Sequence, residues 1–203
     1  MTQPTDQVKV RSTAHDGVPS QNRQELRQIL KRQRSTINAA DKQNWDQAIT
    51  IRLRELVLNL RPQTLAVFWP IQSEPLLLNC FEQLHEAGIQ LALPIVIAKA
   101  QPLKFVPWQP GQTMEEDAYG IAMPVDRTVN LVPDCIIAPC VGFNRDNFRL
   151  GYGGGFYDRT LAKFSAARSI GVAYENCRAN FDADTYDIAL HTIVTEAASY
   201  SLG

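Results

Sequence analysis

Leu26, Ile29, Leu30 and Gln33 recur at helical spacing between Arg23 and Ile37, and Trp45, Ile49, Leu53, Leu56 and Leu60 repeat the pattern between Asp41 and Leu60. An apolar stripe of this period predicts two amphipathic helices at the start of the domain. Beyond Leu60 the pattern changes to short runs rich in β-branched and aromatic residues, at Thr64 to Trp69, Ile89 to Leu93, Leu103 to Trp108, Asp134 to Cys140 and Ser169 to Tyr174. Helical or loop segments separate these runs. Such alternation predicts a three-layer α/β fold, an open and mostly parallel sheet with helices on both faces. Residues 1 to 20 hold Gln, Thr, Ser, Pro and Gly without periodicity, which predicts a mobile tail that carries no chemistry. Residues 21 to 203 then form a single domain, since 203 residues at 45% hydrophobic content suffice for one buried core.

Charge narrows the partner. A formal net charge of -1 argues against a protein built around nucleic-acid phosphates and favours a small polyanion instead. No apolar run approaches the roughly 18 residues of a membrane span, and Met1 to Gln21 lacks a signal-peptide core, so a cytoplasmic protein is expected. Cys80, Cys135, Cys140 and Cys177 include no C-x-x-C pair and read as reduced and inert. His15, His85 and His191 have no zinc-binding spacing, and His191 reads as structural. The absence of a G-x-S-x-G elbow removes the simplest serine-hydrolase reading.

The densest chemistry lies in Arg149-Leu150-Gly151-Tyr152-Gly153-Gly154-Gly155-Phe156-Tyr157-Asp158-Arg159, which packs four glycines, two arginines and an aspartate into one segment. Clustered glycines let several N–H groups converge on an anion, and a helix predicted over Phe156 to Lys163 would turn its free N–H groups and dipole toward the same point. Neither common nucleotide fingerprint fits: G-x-G-x-x-G lacks its third glycine at Phe156, and no Gly-Lys-Ser/Thr follows. A tight turn alone would also explain glycines, but Arg149, Asp158 and Arg159 add cations for phosphate oxygens and a carboxylate for a hard metal ion. Ligands of open α/β sheets bind beyond the carboxyl ends of the strands. The loop follows the strand ending at Cys140, and Glu74 follows the strand ending at Trp69, so both are expected at one crevice.

Residues 142 to 159, Gly-Phe-Asn-Arg-Asp-Asn-Phe-Arg-Leu-Gly-Tyr-Gly-Gly-Gly-Phe-Tyr-Asp-Arg, resemble the signature of the 5-formyltetrahydrofolate cyclo-ligase (methenyltetrahydrofolate synthetase) family. Similar pieces flank it in order from about residue 21 to residue 197. They include Arg23-Gln24-Glu25-Leu26-Arg27, Phe68-Trp69-Pro70 with Glu74, Tyr119-Gly120-Ile121, Ile170 to Glu175, Tyr186-Asp187 and Ile193-Val194-Thr195-Glu196. The resemblance implies a ligase of one-carbon metabolism that cyclises 5-formyltetrahydrofolate to 5,10-methenyltetrahydrofolate with ATP and Mg²⁺, as a monomer or weak homodimer. It implies Glu74, Arg149 and Asp158 as the catalytic set, with Asp158 holding magnesium. Arg23, Arg27, Arg149 and the stretch Leu150, Gly151, Tyr152, Gly153, Gly154, Gly155, Phe156, Tyr157 and Asp158 would hold the nucleotide. Trp69, Glu74, Trp108 and Tyr157 would contact the folate.

Plainer readings stand beside these. Asp158 falls in a first helical turn, which favours a carboxylate by the dipole alone, and Ser73-Glu74-Pro75 also reads as a helix start. Arg23 and Arg27 fit a solvated helix face. Arg23 stands where the family usually has lysine, Asn144 where it has aspartate, and Asn147 where it has glycine, a position at which Asn can preserve a turn at positive φ. A binding protein that kept the fold without turnover, or an enzyme of another phosphorylated substrate, therefore stays open at the level of sequence.

Overall fold

In a computed structural model of the chain, which describes residues 22–202, two helices, α1 (Arg23–Ser35) and α2 (Ala39–Leu60), precede every strand. The segment expected as a mobile tail lies outside the described residues. Asparagines start both helices: Asn22 accepts from the Gln24 amide at 3.1 Å and Asn38 from the Asp41 amide at 2.9 Å. Arg61, at φ 51°, ends α2 in the left-handed region. The buried stripe of α1 is Leu26, Leu30 and Arg34, while Ile29 is 46% exposed, so the helix is rotated relative to the stripe expected from its apolar residues.

Strand β1 (Thr64–Ala66), helix α3 (Leu78–Glu86), β2 (Gln90–Ile95) and β3 (Lys104–Trp108) come next, then the hairpin of β4 (Met114–Glu116) and β5 (Ala122–Pro124). The rest comprises β6 (Cys135–Pro139), a second hairpin of β7 (Gly142–Phe143) and β8 (Arg149–Leu150), α4 (Phe156–Lys163), β9 (Arg168–Val172), β10 (Thr192–Val194) and β11 (Ser199–Ser201). The main sheet has seven strands in the order β11-β10-β9-β6-β1-β2-β3. Its inner pairings are parallel, and β11 and β3 close the two edges antiparallel. The fold expected from the sequence is the one observed, with most strands trimmed: the ladder of β1 stops at Ala66, three residues before Trp69, while β2 runs on to Ile95.

Every residue of β6 is buried, which requires cover on both faces of the sheet centre. Ile49, Leu53 and Val57 of α2 and Cys80, Phe81 and Leu84 of α3 join the strands in one core, and Phe105 of β3 packs on Phe164 at the end of α4. All four cysteines are free and buried within this frame. Burial pushes the thiols of Cys80, Cys135 and Cys140 up to about 12 and that of Cys177 up to about 11, so they stay protonated at neutral pH, as expected of inert side chains. No helix among the described residues is long and apolar enough to cross a membrane.

Candidate functional site

The parallel strands end at a crevice of about 1340 Å³, larger than the roughly 300–1,000 Å³ of a site for one small ligand. Its base is set by the segment after β1, from Phe68 to Glu74, by Pro139 at the end of β6, and by the glycine loop between β8 and α4. The β4–β5 turn adds Asp117 and Tyr119, and the chain after Phe181 adds Asp184, Tyr186 and Asp187. Tyr119 is 67% exposed and Tyr186 84% exposed, so two large aromatic rings stand open at the rim. This is the topological position expected for a ligand, beyond the carboxyl ends of parallel strands.

The glycine loop is built around its arginines. Arg149, with its side chain 3% exposed, donates Nη2 to Asp158 Oδ1 at 2.8 Å, and its guanidinium lies 5.3 Å from the centre of the Tyr157 ring. A Cβ on Gly151 would sit 2.5 Å from Arg149 Nη1, so the missing side chain is the space the guanidinium occupies. Arg27 donates Nε to the Gly151 carbonyl at 2.8 Å, and Arg159 donates Nη2 to the Gly154 carbonyl at 2.6 Å. Gly155, at φ 63°, caps α4 in the left-handed region and leads the chain into the helix. The arginine side chains thus take two of the loop's carbonyls, while no protein acceptor among the described residues takes the N–H groups of Gly153, Gly154 and Gly155. The Nε atoms of Arg149 and Arg159 are buried without a partner. Free amides at a helix N-terminus with unsatisfied guanidinium donors are a receptor for an anion with several oxygens.

Asp158 fits a magnesium ion shared with phosphates. Its side chain is 20% exposed, and only one of its oxygens is held by Arg149. Among the described residues no group of three or more His, Cys, Asp or Glu side chains could hold a metal. Magnesium sites of that kind use one or two carboxylates and draw the remaining oxygens from phosphate and water.

Glu74 is 3% exposed and sits in a turn, not at a helix start: α3 begins at Leu78, which overturns the capping reading of Ser73 and Glu74. Its Oε2 accepts from the Ile71 amide at 2.9 Å and its Oε1 from the Tyr152 hydroxyl. Burial pushes the carboxyl above the ordinary range, opposed by the hydrogen bonds from Tyr152 and Ile71 and by the field of Arg34. The raised value makes the uncharged form the one that favours folding. That contribution is full below the ordinary carboxylate range and is lost as pH rises through the folded-state value. The stability difference between wild type and Glu74→Gln is therefore expected to shift toward the variant as pH rises from about 4 to neutrality. Urea unfolding at several pH values measures it, and a difference that stays flat with pH would contradict it.

The other expected site residues divide. Arg27, Trp69, Tyr157 and the whole run Leu150 to Asp158 line the crevice. Arg23 lines it too, but its guanidinium is paired with Asp187 and lies 3.8 Å from Asp184, so it is not the solvated cation of the plainer reading. Trp108 does not line the crevice. It is 7% exposed behind Trp69, edge-on at 6.1 Å between ring centres, because the antiparallel register of β3 on β2 sets it opposite Leu91 at the far end of the strand. Asn147 holds φ 59°, as expected for a residue in place of glycine, and donates Nδ2 to the Tyr200 carbonyl. Asn144 closes the β7–β8 turn: Oδ1 accepts from the Asp146 and Phe148 amides at 3.0 Å each, and Nδ2 donates to the Phe181 carbonyl. His191 accepts the Ser169 amide at Nδ1, and burial lowers its pKa, which agrees with a structural role.

Arg34, Asp184 and Asp187 were missed as site residues. Arg34 has one signal in sequence, a charge at the i+8 position of a stripe that begins at Leu26 and Leu30. Asp184 and Asp187 meet Arg23 across more than 160 residues of chain, which no local pattern encodes.

A family model described as the 5-formyltetrahydrofolate cyclo-ligase family matches residues 19–196. A 5-formyltetrahydrofolate cyclo-ligase of Mycoplasma pneumoniae is 31% identical over 177 residues, 84% of this chain and 96% of that protein. One from Escherichia coli is 27% identical over 175 residues, 82% of this chain and 96% of its own. Among solved structures, a 5,10-methenyltetrahydrofolate synthetase from Mycoplasma pneumoniae matches with a TM-score of 0.73 at 27% identity, covering 87% of this chain and 99% of the other. One from Aquifex aeolicus matches with a TM-score of 0.77 at 25% identity, covering 88% and 92%.

Proposed function

Because the chain belongs to the 5-formyltetrahydrofolate cyclo-ligase family, we propose that its crevice holds ATP and 5-formyltetrahydrofolate together and uses the first to close the ring of the second. The reaction is ATP-dependent conversion of 5-formyltetrahydrofolate to 5,10-methenyltetrahydrofolate, with ADP and phosphate released. The observation that carries the reading is one crevice containing both the arginine-braced glycine loop and the buried Glu74. Two ligands that must react with each other need one shared space, and about 1340 Å³ accommodates them.

The formyl oxygen is a poor leaving group, and phosphorylation cures that. The oxygen attacks the γ-phosphorus, the bond to ADP breaks, and the folate carries a phosphate ester on an activated carbon. N10 then attacks that carbon, and the C–O bond breaks with its electron pair leaving on phosphate. The N10 proton passes to the Glu74 carboxylate, whose raised pKa suits a base. Arg149, Arg27 and the amides of Gly153 to Gly155 bind the phosphate oxygens and stabilise the charge that builds on them during transfer. Asp158 would hold magnesium, which would supply neutralisation of phosphate charge during the transfer. Trp69 and Tyr157 present flat surface to the folate rings. ADP formation is expected to require 5-formyltetrahydrofolate in addition to Mg²⁺ and ATP. Coupled detection of ADP tests this, and equal ATP hydrolysis without the folate would contradict it.

A further inference from the structure

Tyr152 reaches across the crevice in a way that the phosphate role of its loop does not explain. Its hydroxyl donates to Oε1 of Glu74, and its oxygen accepts from Nη2 of Arg34 at 2.9 Å. A guanidinium only donates, so the direction of this chain is fixed, from Arg34 to Tyr152 to Glu74, and the single hydroxyl proton is committed to the carboxylate. Arg34 is 2% exposed and donates Nη1 to the Cys140 carbonyl at 3.4 Å, which ties α1 to the end of β6. Lys31, one turn earlier on α1, places its ammonium 5.4 Å from the centre of the Tyr152 ring. Helix α1 therefore grips both the ring and the hydroxyl. With the Ile71 amide on Oε2, both oxygens of Glu74 face donors. That geometry favours the ionised carboxylate, and each oxygen keeps a second lone pair that can take the N10 proton.

We propose that Tyr152 is a positioning residue for ring closure: its hydroxyl, backed by Arg34, keeps Glu74 ionised and in one orientation toward the folate. The proposal rests on the cyclo-ligase reading. Burial works against an ionised Glu74, and the hydrogen bond from Tyr152 works for it. The groups that face Glu74 are Arg34 of α1, Tyr152 of the loop, Tyr157 of α4 and Cys140 beyond β6. Burial keeps the Tyr157 hydroxyl and the Cys140 thiol protonated, so neither titrates in the acid limb of an activity profile.

Tyr152→Phe removes only the hydroxyl, while Arg34 keeps the Cys140 carbonyl and Glu74 the Ile71 amide, so the variant is expected to lose some stability and stay folded. The expected result is a kcat lower by about tenfold with the KM for ATP unchanged. The acid limb of the pH profile is expected to move to higher pH, because Glu74 loses a donor that favours its charge. In a Glu74→Gln background the same substitution should change kcat by less than about twofold, since the two residues act as one unit. An unmoved acid limb, or the full loss reappearing in the Glu74→Gln background, overturns the proposal while leaving the cyclo-ligase reading intact. Wild-type protein with no folate-dependent ADP formation overturns both.

Discussion

Asp158→Ala is expected to reduce turnover by about 10³-fold or more while the domain stays folded. Two losses coincide in this variant. The crevice loses the carboxylate that suits magnesium, and Arg149 loses the acceptor that fixes its guanidinium at 2.8 Å. The Arg149 side chain is 3% exposed, so leaving it without a partner also costs about 1–3 kcal/mol of stability. Asp158→Asn separates the two effects: it keeps an oxygen for Arg149 to donate to but removes the charge. Stability is expected to return in Asn while turnover does not. Steady-state rates and urea unfolding on both variants check this, and an Ala variant within tenfold of wild type would exclude Asp158 from the reaction.

Gly151→Ala is expected to lower kcat by about 10²-fold with little change in stability. The added Cβ would lie 2.5 Å from Arg149 Nη1, the mobile end of a long side chain, so the clash is relieved by moving the guanidinium and not the backbone. On the phosphate role proposed for Arg149, displacing its guanidinium by about 1 Å is a large kinetic loss and a small thermodynamic one. The Asp158 contact on Arg149 Nη2 would be strained by the same movement. If the variant melts early and its turnover loss is matched by unfolded protein, the loop is serving structure and not phosphate.

The loop was legible in the sequence because glycines clustered between charges have few structural uses, and the helix that follows runs over the expected residues, Phe156–Lys163. The central strands were legible for a related reason. β6 is buried on both faces and reads as a continuous apolar run. The hairpin strands were not legible, since β4 and β5 are three residues each and β7 and β8 two each, too short for a period to register. The β7–β8 turn depends on Asn144, whose side chain acts by closing hydrogen bonds that only the folded turn brings within reach. Arg34 was hidden by its charge, which suggests a solvated face until the structure buries it. At Trp108 the resemblance implied a folate contact, whereas the register places the ring behind Trp69 and off the crevice. Glu74 was found, but the geometry that defines it, with Tyr152 some 78 residues away in the chain, is a product of the fold.

The most direct test of the central claim is the absorbance band of 5,10-methenyltetrahydrofolate, followed after the purified protein is mixed with 5-formyltetrahydrofolate, Mg²⁺ and ATP. A rise that vanishes when ATP is omitted is the predicted result. No rise from folded protein, or an equal rise without ATP, would contradict it.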